Sequence, residues 1–448
     1  MTGVFRKYDV RGIYPDEIDD ALAYSVGRAV AEFFKMPRVA VGRDHRKSSP
    51  KLHSALIRGI IEQGVDAIDM GFCSSPELYN YNVRNSVPGV MVTASHNPLV
   101  YNGIKINSYD GRMINYGGGL EEIEELVEDD KYKDVVGNGE LLEHSHNIDY
   151  VSYLRSKLKS PGRKIRIVVD TGNGTAGPTL ERIFSGVNNV EIIPMFFDPD
   201  NETPQHLADP TKKENIVELS QRIRDEAADF GAAFDGDADR CIFLDERGVP
   251  MGSDIFMCII ADHESAKGDF PGTFYFDVWS SRIVKRRMKE LGCDFEILPL
   301  GAANYREKLV LEGGTAASEV SGHVMFSENF CQDDGFFTLI KMIEYYGSSS
   351  KTISAMLAPY MIYFSDNVSL ECENPERIIQ SMREKYTDGG HTELDGLTVE
   401  YDAWWFNIRK SNTEPLVRLK VEAESQALLE EKMQELRTVV SSPDSNRE

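Results

Sequence analysis

The chain has 448 residues, with 49 Lys and Arg against 73 Asp and Glu, a formal charge of −24 at pH 7. At about 100–200 residues per domain this length predicts three or four domains, and a hydrophobic fraction of 41% is ordinary for a globular protein and enough to fill their cores. Such acidity excludes a general binder of nucleic acid or of an anionic membrane, so an anionic substrate must find its basic contacts concentrated locally.

The start, MTGVFRKYDVRG, has no apolar core of a signal peptide. Together with the lack of any run of about 18 apolar residues, this predicts a cytoplasmic protein. The segment from Phe5 to Gly12 crowds charge and an aromatic ring, including Tyr8 and Arg11, ahead of any helical pattern. Apolar runs at 38–41, 89–93, 165–169, 191–195 and 273–276 read as buried strands. Longer amphipathic stretches at 51–63, 215–228 and 281–291 read as helices. Strand–helix alternation of this kind predicts α/β domains with largely parallel sheets. It restarts near 38, 165 and 273, as three α/β units of similar size would. The last 80 or so residues read differently: strand, helix, two strands, and a helix at 427–440, an α+β pattern. The tail SSPDSNRE is polar and expected to fray. Turn-forming stretches suggest divisions giving units at 1–145, 146–250, 251–365 and 366–448. Cysteines at 73, 241, 258, 293, 331 and 372 form no CxxC pair and read as buried thiols in a reducing compartment.

Four segments could carry chemistry. In Val92-Thr93-Ala94-Ser95-His96-Asn97-Pro98 an apolar run ends in small and polar residues. A serine just past a strand end sits where α/β sites lie, and its hydroxyl can accept a phosphoryl group if a cation neutralises that group. A helix-capping or turn serine is the alternative. A Ser–His hydrolase fits poorly: the G-x-S-x-G elbow is absent, and adjacent side chains are expected to diverge.

Asp235-Gly236-Asp237-Ala238-Asp239-Arg240 follows an apolar run. Read as extended, it projects three carboxylates to one side, where they repel unless a cation binds. Oxygen-only ligands suit Mg²⁺, with Gly236 and Ala238 letting the chain curve around it. An EF-hand loop would put Glu246 twelfth but needs Gly where Arg240 stands; a solvated acidic turn is the other alternative. Arg409-Lys410-Ser411-Asn412-Thr413-Glu414-Pro415 joins two strand-like runs and offers a bidentate phosphate grip with neutral donors, or is a plain hairpin turn. Glu319-Val320-Ser321-Gly322-His323 could bind sugar hydroxyls, or be a structural turn. Gly42-Arg43-Asp44 and Asn102-Gly103-Ile104-Lys105 read as polar punctuation after apolar runs.

FRKYDVRG, GRD, TASHNP, YNGIK, DTGNGTAGP, DGDADR, SEVSGH and RKSNTEP, in this order across essentially the whole chain, resemble the α-D-phosphohexomutase superfamily, nearest its phosphomannomutase/phosphoglucomutase branch. The resemblance implies four domains around a central cleft, each contributing one loop, and interconversion of hexose 1- and 6-phosphates through a hexose 1,6-bisphosphate. It implies Ser95 as phosphoserine, Asp235, Asp237 and Asp239 with Ser95 as Mg²⁺ ligands, and Arg11, His96, Lys105 and Arg240 assisting transfer. Tyr8, Glu319, Ser321 and His323 would meet the sugar, and Arg409, Ser411, Asn412 and Thr413 the second phosphate. A small-molecule partner and a monomer or homodimer are expected. The chain departs from the pattern at Ser318, Trp279 and Ala302, where relatives carry Gly, Lys and His near the sugar. The alternatives kept open are a phosphoglucosamine mutase, a metal-dependent serine phosphatase and a sugar-phosphate sensor without catalysis.

Overall fold

The computed structural model describes residues 3–133, 137–268, 272–411 and 416–441. Its four sheets follow the chain in order.

The first sheet runs Val10–Ile13, Tyr101–Asn107, Gly89–Val92, Arg38–Arg43, Asp66–Phe72, Leu141–Glu143 in space. Arg38–Arg43 lies parallel to both Asp66–Phe72 and Gly89–Val92, and all four residues of Gly89–Val92 are buried, as a strand covered on both faces requires. Tyr101–Asn107 returns antiparallel, with Lys105 opposite Met91. The segment read as punctuation around Lys105 is therefore a strand; its buried polar residues are paired, Asn102 with Ser48 and Ser49 and Lys105 with Asp237 and Asp239. The second sheet, Pro250–Met251, Cys241–Leu244, Phe230–Phe234, Ile165–Asp170, Val190–Met195, mixes parallel and antiparallel pairs in the same way. The third is Phe295–Leu298, Phe274–Asp277, Ala316–Ser318, Val324–Phe326. The fourth, Phe364–Glu371, Leu416–Ala423, Trp404–Lys410, Leu397–Glu400, Gly390–Thr392, is antiparallel throughout.

The architecture is thus three mixed α/β units and a C-terminal α+β unit, as expected. One difference is a short outer hairpin, Gly390–Thr392 with Leu397–Glu400. Its edge strand is only 3 residues long and wholly exposed, so it carries no apolar alternation. The helix expected at 215–228 divides into a 3-10 turn, Lys213–Ile216, and an α-helix, Val217–Asp225. The tail after Ser441 lies outside the described residues.

The first and fourth units have their own apolar cores. The second and third share one, which runs from Tyr150 and Ile165 through Phe234 and Phe256 to Phe336 and Tyr346. Tyr150 seals it polar end to polar end, donating to Asp334 at 2.9 Å. The fourth unit docks on the third through Arg282, which donates to the Asp402 and Tyr401 carbonyls, and through Lys285 paired with Glu400 at 2.7 Å. The six cysteines are free, and all but Cys331 are buried. Among the described residues no helix is long and apolar enough to cross a membrane.

Candidate active site

Ser95 stands three residues beyond the strand Gly89–Val92 and takes a left-handed backbone, φ 50°. A non-glycine residue adopts this only where its surroundings hold it. Here the hold is explicit: the Ser95 N–H donates to Thr93 Oγ1 at 2.9 Å, and its carbonyl accepts from Arg46 at 2.8 Å. Arg46 is 2% exposed; it also donates to the carbonyls of Asn97, Pro98 and Tyr101 and pairs with Asp44. One buried guanidinium therefore fixes the whole loop. The left-handed turn also overturns the expectation that adjacent side chains diverge. Ser95 Oγ and His96 Nδ1 lie 3.1 Å apart, because φ > 0 swings both to one side.

Ser95 Oγ donates to Asp235 Oδ2 at 2.7 Å. The aspartates sit in a turn, not an extended run, between the antiparallel strands Phe230–Phe234 and Cys241–Leu244, with Ala238 at φ 67°. They converge by curling rather than by strand alternation. Gly236 is required for contact between the two loops: a Cβ there would strike the Ser95 carbonyl oxygen. The DTGNGTAGP segment supports the turn from behind, Thr175 N donating to Gly236 O at 3.0 Å.

All three aspartates are buried, and an oxygen of each lies within 4.8 Å of the others. Lys105 Nζ bridges Asp237 and Asp239 at 2.7 Å each, and Ser75 Oγ donates to Asp237 at 2.6 Å. Burial alone would lower the Lys105 pKa, but the two carboxylates outweigh it and raise it well above the ordinary value. Burial and its two neighbours push Asp235 well up; burial also raises Asp237 and Asp239, but Lys105 outweighs it and draws both down. The donor set fits a divalent cation. It is oxygen-only, it already holds an ammonium, and Asp237 Oδ1 and Asp239 Oδ1 are buried with no hydrogen-bond partner, a costly arrangement unless a cation takes those lone pairs.

Cations surround the serine. Arg240 lies 3.5 Å from Asp235 and donates to His96 Nδ1 at 2.9 Å, while Arg11 donates to Asn97 Oδ1 at 3.1 Å and pairs with Asp9. Burial, then Arg240 and Arg11, hold His96 well below its ordinary pKa, so the ring is neutral.

The Glu319-to-His323 segment turns between the strands Ala316–Ser318 and Val324–Phe326. His323 Nδ1 lies 2.9 Å from Asp333 Oδ2 and 3.8 Å from Asp239. Asp333 in turn pairs with fully buried Arg306, which donates to Asn107 of the first unit at 2.7 Å. Burial raises Glu319 from its ordinary value, with Arg240, Ser321, the Gly301 N–H and Arg409 pulling it back. Glu319 thus stands electrostatically between the metal-loop arginine and the arginine of the fourth unit. Tyr8 OH donates to Leu300 O at 2.9 Å, joining the first unit to the third.

Arg409, 9% exposed, is the penultimate residue of the strand Trp404–Lys410. Ser411 N donates to Leu416 O at 2.9 Å; Asn412 and Thr413 lie outside the described residues. Trp279 closes the gap between the third and fourth units, with its indole N–H donating to Asn407 Oδ1 at 2.7 Å and Arg409 facing its ring. Ser318 is buried with its Oγ unpaired, and Ala302 opens the helix Ala302–Glu312.

Models of the alpha/beta/alpha domains I, II and III and of the C-terminal domain of phosphoglucomutase/phosphomannomutase match residues 2–134, 148–248, 252–363 and 370–439. The chain belongs to this family. It is 32% identical over 458 residues to a phosphoglucomutase of Neisseria gonorrhoeae, covering 98% of this chain and 97% of that one. It is 30% identical over 449 residues to a phosphomannomutase/phosphoglucomutase of Pseudomonas aeruginosa, covering 98% and 94%. A family protein of known structure from Burkholderia thailandensis superposes with a TM-score of 0.89 at 28% identity, covering 99% of this chain and 98% of that one. The family makes this chain an isomerase of the phosphotransferase kind.

Several supporting residues escape a sequence reading. Arg46, Ser75, Arg306 and Asp333 sit among other polar residues that nothing local distinguishes them from, and only folding brings them to the loops they hold. Arg46 alone left a trace, as a charge close behind the Gly42-Arg43-Asp44 turn.

Proposed function

We propose that this chain interconverts the 1- and 6-phosphates of glucose and mannose through Ser95, by way of a hexose 1,6-bisphosphate. The observation that carries the reading is the 2.7 Å contact of Ser95 Oγ with Asp235 inside the buried triplet, opposed by an arginine on a separate unit, Arg409. A nucleophile at one end and a phosphate grip at the other suit a substrate phosphorylated at both ends in turn.

Asp235, Asp237 and Asp239, with an oxygen of phosphorylated Ser95, would hold Mg²⁺. When bound it neutralises charge on the phosphoryl oxygens. Arg240 and Lys105 add positive charge around the same oxygens. His96, 3.1 Å from Ser95 Oγ and accepting from Arg240 at the same Nδ1, holds that guanidinium beside the serine, where it assists transfer. Arg409 and Ser411, with Asn412 and Thr413, hold the phosphate that does not move. Tyr8, Glu319, Ser321 and His323 orient the ring, with Asp333 fixing His323. The sugar turns around between the two transfers, so each contact must serve both orientations. The four units at 1–145, 146–250, 251–365 and 366–448 each contribute one of these loops.

A serine phosphatase would use the same serine and metal but has no need of Arg409 on a distant unit. A phosphoglucosamine mutase is favoured by nothing in the loops; the Arg409 loop reads SNTEP rather than SGTEP. A substrate panel of glucose, mannose, glucosamine and N-acetylglucosamine 1-phosphates, read both for the 6-phosphate and for free phosphate, tests the proposal. Formation of glucose and mannose 6-phosphate without phosphate release is expected. Net phosphate release, or turnover confined to amino sugars, would contradict it.

A further inference from the structure

We propose that the chain carries a second metal site, remote from the reaction centre, formed by His144, His146 and Asp149 and suited to Zn²⁺. His144 follows the strand Leu141–Glu143, the edge of the first sheet. His146 immediately precedes the helix Asn147–Lys157, and Asp149 lies in that helix's first turn. The site thus spans the crossing between the first and second units. One donor atom from each of the three residues lies within 4.8 Å of the others.

The ligand chemistry is distinct from that of the aspartate triplet. Two imidazoles and one carboxylate select borderline cations such as zinc, whereas an oxygen-only cage selects magnesium. A second observation points to a ligand. Both His144 Nε2 and His146 Nδ1 are buried and lack any hydrogen-bond partner. An orphaned ring nitrogen is costly in a folded interior, and His146 Nδ1 lies 3.8 Å from Asp149 Oδ2.

His146 is further prepared. It is only 3% exposed, and its Nε2 lies 3.1 Å from Asn80 Oδ1. With the Asn80 oxygen facing the ring, Nε2 carries the proton and Nδ1 presents a lone pair. This is how a polar neighbour fixes a metal-binding tautomer. Tyr81 packs against both rings, at 4.8 and 4.9 Å.

Zinc bonds of about 2.0–2.1 Å place tetrahedral ligand atoms roughly 3.3 Å apart. The three side chains must therefore draw in by up to about 1.5 Å. The Asp149 side chain, 66% exposed, can swing, and His144 is only partly buried. Water completes the shell. The ion would tie the linker to the first helix of the second unit, with Asn80 anchoring it to the first.

The test uses full-length protein stripped with a chelator and returned to excess Mg²⁺, which occupies oxygen-only sites, then titrated calorimetrically with Zn²⁺. Wild type should bind one Zn²⁺ per chain and gain in Tm, and so should Asp237→Asn. His144→Gln and Asp149→Asn, both on the open side of the site, should lose that binding and the Tm gain while keeping mutase activity in Mg²⁺. His146→Gln should behave alike. Asn80→Ala should weaken binding by about 10–100-fold. Unaltered Zn²⁺ binding in His144→Gln and Asp149→Asn, or binding that Asp237→Asn alone abolishes, would overturn the proposal.

Discussion

The Arg409 guanidinium lies 5.4 Å from the centre of the Trp279 ring, across the junction of the third and fourth units. The same indole donates to Asn407 at 2.7 Å, two residues before Arg409 on one strand. Trp279 therefore positions Arg409 from two directions. It does so from a place where relatives are expected to carry lysine, so a cation near the sugar is exchanged for an aromatic wall. Trp279→Ala should raise KM for hexose phosphates by roughly three- to tenfold, on the order of 1 kcal/mol for a cation–π contact, with a smaller effect on kcat. Trp279→Phe should restore part of that loss, because it keeps a ring face. Steady-state kinetics of both variants check this; an unchanged KM in Trp279→Ala would mean that Arg409 is held by its strand alone.

The aspartates should separate in their effects on stability. Asp237 accepts from Lys105 and Ser75, whereas Asp235 meets only the Ser95 hydroxyl and the backbone and side chain of Arg240. In chelated protein Asp237→Asn should cost about 1–3 kcal/mol through a weakened charged hydrogen bond. Asp235→Asn should be neutral or stabilising, since it removes one of three crowded charges. Both should abolish activity, as should exhaustive chelation. Denaturant melts alongside mutase assays distinguish these outcomes.

How much of this was legible beforehand follows from kinds of residue. Ser95 and the aspartates are clustered functional groups, so a short window of sequence displays them. Apolar runs read at 38–41 and 165–169 fall within the parallel strands Arg38–Arg43 and Ile165–Asp170. The Ser95–His96 contact was not legible, because it depends on one positive φ set by Arg46, about fifty residues earlier. The edge hairpin at 390–400 was missed because a short exposed strand has no apolar periodicity. Arg306 and Asp333 steady His323 through tertiary packing that no local pattern encodes.

Asp277 gives a pH signature. It accepts from the N–H groups of Trp279 and Val320 at 2.7 Å each, so it fixes both the Arg409 platform and the sugar loop. Burial first, with Glu319 and Asp254 nearby, pushes it up to about 7 from 3.8, against those two N–H donors. Folded protein therefore keeps a proton that unfolded chain has released. The associated stabilisation is complete below about pH 4 and is lost as pH rises to about 7, by at most about 1.4 kcal/mol per pH unit. Asp277→Asn lacks this dependence. Wild-type stability relative to the variant should fall between pH 4 and 7 and level off above; a flat difference would contradict the assignment.

Sugar choice should be loose. Glucose and mannose differ only at C2, and a site that must accept the ring in two orientations reads hydroxyls away from the reacting carbons. With no buried group left unpaired by the wrong epimer, discrimination is weak. Both 1-phosphates should turn over with kcat/KM values within about a thousandfold, roughly 4 kcal/mol, with mannose 1-phosphate modestly favoured. A larger ratio would reveal a contact dedicated to C2, and Trp279 is the first residue to test for it.

The central claim is that Ser95 carries the phosphoryl group. Intact-mass measurement of purified protein, followed by peptide mapping, tests it most directly. Wild type should show a partly occupied single phosphorylation that maps to Ser95, lost to excess hexose 1-phosphate as hexose 1,6-bisphosphate and absent from Ser95→Ala, which should be inactive. Phosphate found reproducibly on another residue, with Ser95 bare and activity normal, would contradict the account.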